Sequence, residues 1–180
     1  MDTSTLAPPT GGVSCGKPVV VIGFAACYKT SVGALLAKKL NYPFVDTDAE
    51  IESICNKSVQ QIFDACGQAY FRKMESELLQ TLKVNAVISC GGGSVLADGF
   101  DEFARGSTVV CLTASAQTVH SRLGAVARPL FDGLSVEELN TYIQQRKPLY
   151  DKYADITVST DGQTPEQVAE QVYAILVQSN

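Results

Sequence analysis

VVVIGFAACYKTSVG, residues 19–33, decides how the rest of the chain is read. An apolar run from Val19 to Ile22 enters a short loop opened by Gly23, Lys29 and Thr30 follow, and a helix-patterned segment begins. Strand, loop, Lys-Ser/Thr and helix in this order are the layout of a phosphate-binding loop. Its backbone N–H groups and the N-terminus of the helix cradle phosphate oxygens. The pattern G-x-x-x-x-G-K-[ST] asks for glycine at position 28, and this chain carries Tyr28. Glycine there permits positive φ, and a side chain held in the same backbone costs about 1–3 kcal/mol. Two outcomes stay open. The loop keeps its shape under strain, with the ring toward solvent or over the nucleotide, or it relaxes and binds phosphate less well. Taken alone, the loop also fits an ordinary turn with a solvated lysine at a helix start. The chain reads as a nucleotide-dependent phosphotransferase with an altered phosphate cradle.

Outward from this stretch, strand-like and helix-like segments alternate. Val- and Ile-rich runs recur at 19–22, around Phe44-Val45, at 86–90, at 108–112 and around 156–158. They do not alternate with polar residues, as expected of strands covered on both faces of a parallel sheet. Between them lie helical patterns. Val32, Leu35, Leu36 and Leu40 share one face, as do Val168, Val172, Ile175 and Leu176. Thr164 with Gln167, Ser58 with Gln61, and Ser135 with Glu138 have capping-box spacing, and Pro165 sits at a first helical position. The order predicts an α/β fold, a three-layer α-β-α sandwich on a five-stranded parallel sheet. Ligands then bind outside the carboxyl ends of the strands. This places the 23–30 loop, Asp46 to Asp48 and Gly91 to Gly93 at one edge. Residues 1–16, rich in Thr, Ser, Pro and Gly, read as a flexible arm, and residues 17–180 as one domain.

A net charge of −5 disfavours nucleic acid and anionic membrane as partners, while leaving room for an anionic small ligand in one cationic cleft. The six cysteines form no C-x-x-C pair, and Cys90 and Cys111 sit in apolar runs. Free thiols suit a reducing compartment, although spacing does not exclude a bridge. Nothing at the N-terminus resembles a secretory signal, and no apolar run is long enough for a membrane span, so a cytoplasmic protein is expected.

Several side chains in this frame can carry chemistry. Lys29 would neutralise β- and γ-phosphate charge, and the Thr30 hydroxyl would ligate magnesium. Asp46 and Asp48 end the second strand, where one carboxylate can serve metal and the other a substrate hydroxyl. Asp48 also suits a helix cap before Ala49. Gly91-Gly92-Gly93 lets a ligand lie against bare backbone, or forms only a turn. Arg72, Arg128 and Arg146 are candidates for carboxylate or phosphate, because the guanidinium fork binds two oxygens at once. Arg128 lies in Gly124–Leu130, which lacks helical spacing and reads as a lid. His120, the single histidine, falls in a helix and receives no role. Cys27 is a candidate oxidation-sensitive thiol near a helix N-terminus.

Taken together these residues resemble the shikimate kinase family over about residues 17–178. The matching pieces are GFAACYKTSVG at 23–33, FVDTDAEIE at 44–52, SVQQIF at 58–63, FRKMESELL at 71–79, SCGGGSVL at 89–96, ARPLF at 127–131 and RKPLYDKYADITVSTDG at 146–162. The resemblance implies a P-loop kinase fold of the nucleoside-monophosphate kinase group, with a lid and a separate substrate-binding region. It implies ATP and magnesium, with Gly23, Ala25, Ala26, Cys27, Tyr28, Lys29, Thr30 and Ser31 as the ATP loop. Thr30 and Asp46 would serve the metal, Asp46 through water. Asp48 would orient the hydroxyl being phosphorylated and accept its proton. Arg72, Gly91, Gly92, Gly93 and Arg146 would hold shikimate, with the arginines on its carboxylate and Glu75 positioning Arg72. Arg128 would meet the transferring phosphate, and Arg122 would pack near adenine. Lys29, Asp48 and Arg128 would be catalytic.

Glycines are missing at Tyr28 and Ala26, and the lid is short around Gly124 to Ala127. Both departures touch the nucleotide side. The expected activity is transfer of phosphate from ATP to the 3-hydroxyl of shikimate by a monomer. The alternatives are a related kinase of a carboxylated sugar, such as gluconate kinase, and a kinase-like binding protein whose phosphate site Tyr28 blocks.

Overall fold

Val19–Gly23 forms β1, the central strand, and all of its residues are buried. The computed structural model describes residues 16–82, 85–123, 131 and 133–178. The expected arm over 1–16 lies outside these except for Gly16, and the expected lid with Arg128 lies outside them altogether. Phe44–Asp46 (β2), Val87–Ser89 (β3), Thr108–Thr113 (β4) and Ile156–Ser159 (β5) complete a five-stranded sheet. Its order is β2-β3-β1-β4-β5, and every pairing is parallel. The strands coincide with the apolar runs read from the sequence.

The helices are Lys29–Leu40 (α1), Thr47–Cys55 (α2), Val59–Thr81 (α3), Phe100–Arg105 (α4), Ala116–Leu123 (α5), Val136–Tyr153 (α6) and Pro165–Gln178 (α7). Right-handed crossovers decide their layers. The step from β1 to β2 runs in one direction across the sheet, and the steps β2 to β3, β3 to β4 and β4 to β5 run in the other. α1 therefore covers one face, where it packs against α7, and the connections through α2–α3, α4 and α5–α6 cover the opposite face. The crevice between β1 and β3, whose outgoing chains leave to opposite faces, is the natural ligand position.

The caps follow the sequence signals. Ser58 and Ser135 accept from the backbone N–H groups of Gln61 and Glu138, whose side chains accept from the cap N–H in return. Thr164 and Gln167 make the same exchange ahead of α7. Two expected core positions, Leu35 and Ile175, are only half-buried, while Ala37 of α1 and Ala169 of α7 are buried. α3 is interrupted at Gly67, whose φ of 78° and ψ of 167° are non-helical. Ile51, Ile62 and Phe71 form a second, small apolar cluster between α2 and α3, apart from the core around the sheet.

The register brings Gly23, the last residue of β1, opposite Leu112 of β4. Gly23 has φ 143°, and a Cβ there would overlap the Leu112 carbonyl oxygen. Gly23→Ala is therefore expected to lower unfolding stability by about 2–4 kcal/mol, read from urea titrations of both proteins.

Candidate active site

The loop after β1 keeps its turn without the expected glycine. Tyr28 has φ 64° and ψ 17° and serves as the N-cap of α1, and Ala26 has φ 58°. Of the two outcomes the sequence left open, the loop has thus kept a left-handed residue at position 28. The Tyr28 ring lies on the guanidinium of Arg122, whose Cζ is 3.7 Å from the ring centroid. Arg122, from the last turn of α5, donates from Nη1 to the Ala26 carbonyl at 3.0 Å and to Thr160 Oγ1 at 2.8 Å. Its Nη2 donates to the Thr160 carbonyl at 2.8 Å. Lys29 Nζ reaches back across the loop to the Phe24 carbonyl, at 2.8 Å.

Asp46 ends β2 and joins this loop to the next element. Its Oδ2 accepts from Thr30 Oγ1 at 2.7 Å. Its Oδ1 accepts from the N–H groups of Asp48 at 3.1 Å and Ala49 at 3.2 Å. The cap of α2 is therefore Asp46, not Asp48. The helix starts at Thr47, so the free first-turn N–H groups point at position 46, and Asp48 lies inside the first turn. Thr47 is buried, and its hydroxyl accepts from the Gly91 N–H at 3.0 Å.

The glycine turn after β3 is a packing requirement. A Cβ on Gly91 would fall onto Asp48 Oδ1, and one on Gly93 would fall onto the guanidinium of Arg72. A Cβ on Gly92 would stand 3.7 Å from Ala25 N and from the Gly23 carbonyl oxygen, so the turn also abuts the phosphate loop. Glu75, 1% exposed, accepts from Ser94 Oγ at 2.6 Å through Oε1 and pairs through Oε2 with Arg72 Nη1. The resemblance implies this pairing of Glu75 with Arg72. Tyr150 of α6 donates from its hydroxyl to the Gly92 carbonyl at 2.7 Å. Arg146 lies one turn before Tyr150, and its buried Nη1 has no hydrogen-bond partner among the described residues. Burial raises the Tyr150 phenol well above its ordinary range, against the opposing charges of Arg146 and Arg72.

The site's anionic side is felt beneath the turn. Burial first, then the charges of Glu75 and Asp48, push the Cys90 thiol far up. Burial likewise pushes Cys111 up to about 12. Cys27 is 1% exposed, and burial raises its thiol although Lys29 and Arg122 pull the other way. For Cys27, expected as an oxidation-sensitive thiol, desolvation outweighs the nearby cations and favours the protonated form.

Among the described residues no group of three or more His, Cys, Asp or Glu is arranged to hold a metal ion. The Thr30 hydroxyl on the Asp46 carboxylate is a smaller donor set. It suits magnesium, which keeps most of its waters and takes one or two protein oxygens beside substrate phosphates. A cavity of about 340 Å³ between α5 and α6, lined by His120, Phe131 and Glu138 among others, includes none of the described site residues.

Thr47, Ser94, Tyr150 and Thr160 went unremarked in the sequence reading. Tyr150 stands four residues after Arg146 and so on the same helix face, a usable signal. Thr160 and Ser94 carry none, since their partners are 38 and 19 residues away.

The family model described as shikimate kinase matches residues 25–177. The chain belongs to the shikimate kinase family. A shikimate kinase of Thermodesulfovibrio yellowstonii is 40% identical over 161 residues, 87% of this chain and 92% of its own. The structure of a shikimate kinase from Acinetobacter baumannii in complex with shikimate superposes with a TM-score of 0.84 at 26% identity, over 91% of this chain and 94% of that one. A gluconokinase from Sinorhizobium meliloti, at 17% identity and a TM-score of 0.58 over 91% of this chain and 93% of its own, shares the fold alone.

With Cys27, Cys90 and Cys111 buried, the native protein at pH 8 should react with Ellman's reagent at the exposed Cys66 while these three react only after denaturation. Mass mapping of the labelled peptides reads the order, and early labelling of Cys27 would reinstate it as a reactive thiol.

Proposed function

We infer that this member of the shikimate kinase family transfers the γ-phosphoryl group of ATP to the 3-hydroxyl of shikimate. The observation that carries the reading is the convergence of Asp48 and Arg72 on the glycine turn, beside the phosphate loop. A carboxylate and a guanidinium set against bare backbone suit a ligand that offers a hydroxyl to one and a carboxylate to the other. The buried Arg146 nitrogen supports the same reading, because a buried charged donor calls for an anionic partner.

In this proposal Arg72 and Arg146 grip the substrate carboxylate, and Glu75 and Tyr150 keep Arg72 and the turn in register. Asp48 orients the acceptor hydroxyl and takes its proton as the phosphoryl group is transferred. Lys29 leaves the Phe24 carbonyl for the β- and γ-phosphates, and the loop's N–H groups hold the rest. Thr30 and Asp46 would hold magnesium, which neutralises phosphate charge when bound. Arg128 is proposed to complete the charge neutralisation. Fixed cations and a positioned nucleophile are what phosphoryl transfer asks of a protein.

The proposal extends to a monomeric, cytoplasmic enzyme with one domain from residue 17 onward. Free thiols at Cys27, Cys55, Cys66, Cys90 and Cys111 support a reducing compartment. No helix among the described residues is long and apolar enough to cross a membrane.

ADP release coupled to a reporter reaction, with magnesium and ATP in the presence and absence of shikimate, tests the reading. Release that depends on shikimate is expected, and equal rates without it would refute the assignment. Asp48→Asn should lower kcat at least about 10²-fold with unchanged thermal stability. Arg146→Met should raise KM for shikimate about 10–100-fold and leave KM for ATP unchanged, as loss of a hydrogen-bonded charge would.

A further inference from the structure

The missing glycine is answered in space by one contact. Ala26 and Tyr28 both hold left-handed backbone, which non-glycine residues keep only where the surroundings over-determine it. No side chain caps α1 at this point. Beside the Lys29 bond to the Phe24 carbonyl, the stack of Tyr28 on Arg122 constrains the turn. Arg122 is itself fixed. Its terminal nitrogens bond the Ala26 carbonyl within the loop and both oxygens of Thr160 beyond β5. Thr160 is fully buried, and its hydroxyl donates to the Thr113 carbonyl at 3.1 Å. The path from the Tyr28 ring through Arg122 to Ala26 and back along the chain is closed, and it encloses both left-handed residues.

We propose that Tyr28 is a positioning residue for the nucleotide: its ring, stacked on Arg122, holds the phosphate loop in its cradling shape where the chain lacks glycine. It acts through the loop's N–H groups and not by touching phosphate. The inference rests on the phosphate-loop reading above, and its test includes a binding measurement that does not need turnover.

The experiment uses the full chain. Magnesium-ATP binding is measured by calorimetry, and KM for each substrate is measured with the other saturating. Tyr28→Leu keeps the left-handed penalty and removes the ring. It should raise both Kd and KM for ATP about tenfold, with KM for shikimate within about twofold of native. Tyr28→Phe, which restores a ring, should recover most of that loss. Tyr28→Gly, which removes ring and penalty together, should fall between the two. Arg122→Gln should weaken ATP like Tyr28→Leu, and the double variant should be no more than about twofold worse than the weaker single one.

Unchanged ATP binding in Tyr28→Leu overturns the proposal. So do losses that multiply in the double variant, or equal rises in both KM values with a falling Tm. ATP bound more tightly by Tyr28→Gly than by the native chain would make Tyr28 an obstruction. If Tyr28→Leu does not fold, Arg122→Gln and Tyr28→Gly decide the matter. A native chain that binds ATP but shows no shikimate-dependent ADP release refutes the phosphotransfer reading alone, because the binding series still decides Tyr28. A native chain that binds no magnesium-ATP overturns both.

Discussion

The Asp46 carboxylate is the joint on which the site depends. One of its oxygens takes the Thr30 hydroxyl from the start of α1, and the other takes two N–H groups from the start of α2. A single residue at the end of β2 thus fixes the phosphate loop to the element that carries Asp48. Thr47, the next residue, continues the chain of contacts to the Gly91 N–H. Three strand ends are coupled through two adjacent side chains, and each coupling is a hydrogen bond to backbone or hydroxyl. Such bonds are shorter and stronger where one partner is charged, as at Asp46.

The glycine turn shows a second kind of constraint. Gly91 and Gly93 are demanded by what lies against them, not by their backbone angles. Asp48 and Arg72 occupy the space that side chains would take. Both charged groups therefore rest on polypeptide backbone, and Glu75 and Ser94 hold the arginine from behind.

Much of this was legible beforehand. The five strands, the three capping boxes and the gathering of the 23–30 loop, Asp46–Asp48 and Gly91–Gly93 at one edge follow from local pattern plus the rule for parallel sheets. What could not be read were contacts between segments distant in the chain. Tyr28 on Arg122 spans 94 positions by numbering, and nothing in either neighbourhood announces the other. Tyr150 on Gly92 is similar, although its spacing from Arg146 hinted at a shared helix face. Which of Asp46 and Asp48 caps α2 was not legible, because both are good capping residues and only the start of the helix separates them. The burial of Cys27 was likewise not legible, although the charges around its loop were.

The small cluster of Ile51, Ile62 and Phe71 gives the α2–α3 region its own apolar support, while Leu79 near the end of α3 belongs to the core around the sheet. Arg72 and Glu75 lie between these two anchorages, after the break at Gly67. A segment fastened to a few buried side chains opens at lower free energy than the strands beneath it, as a cooperative unit of its own. Arg72 and Glu75 thus ride on a segment with its own small apolar support, and the 23–30 loop grows from a fully buried strand.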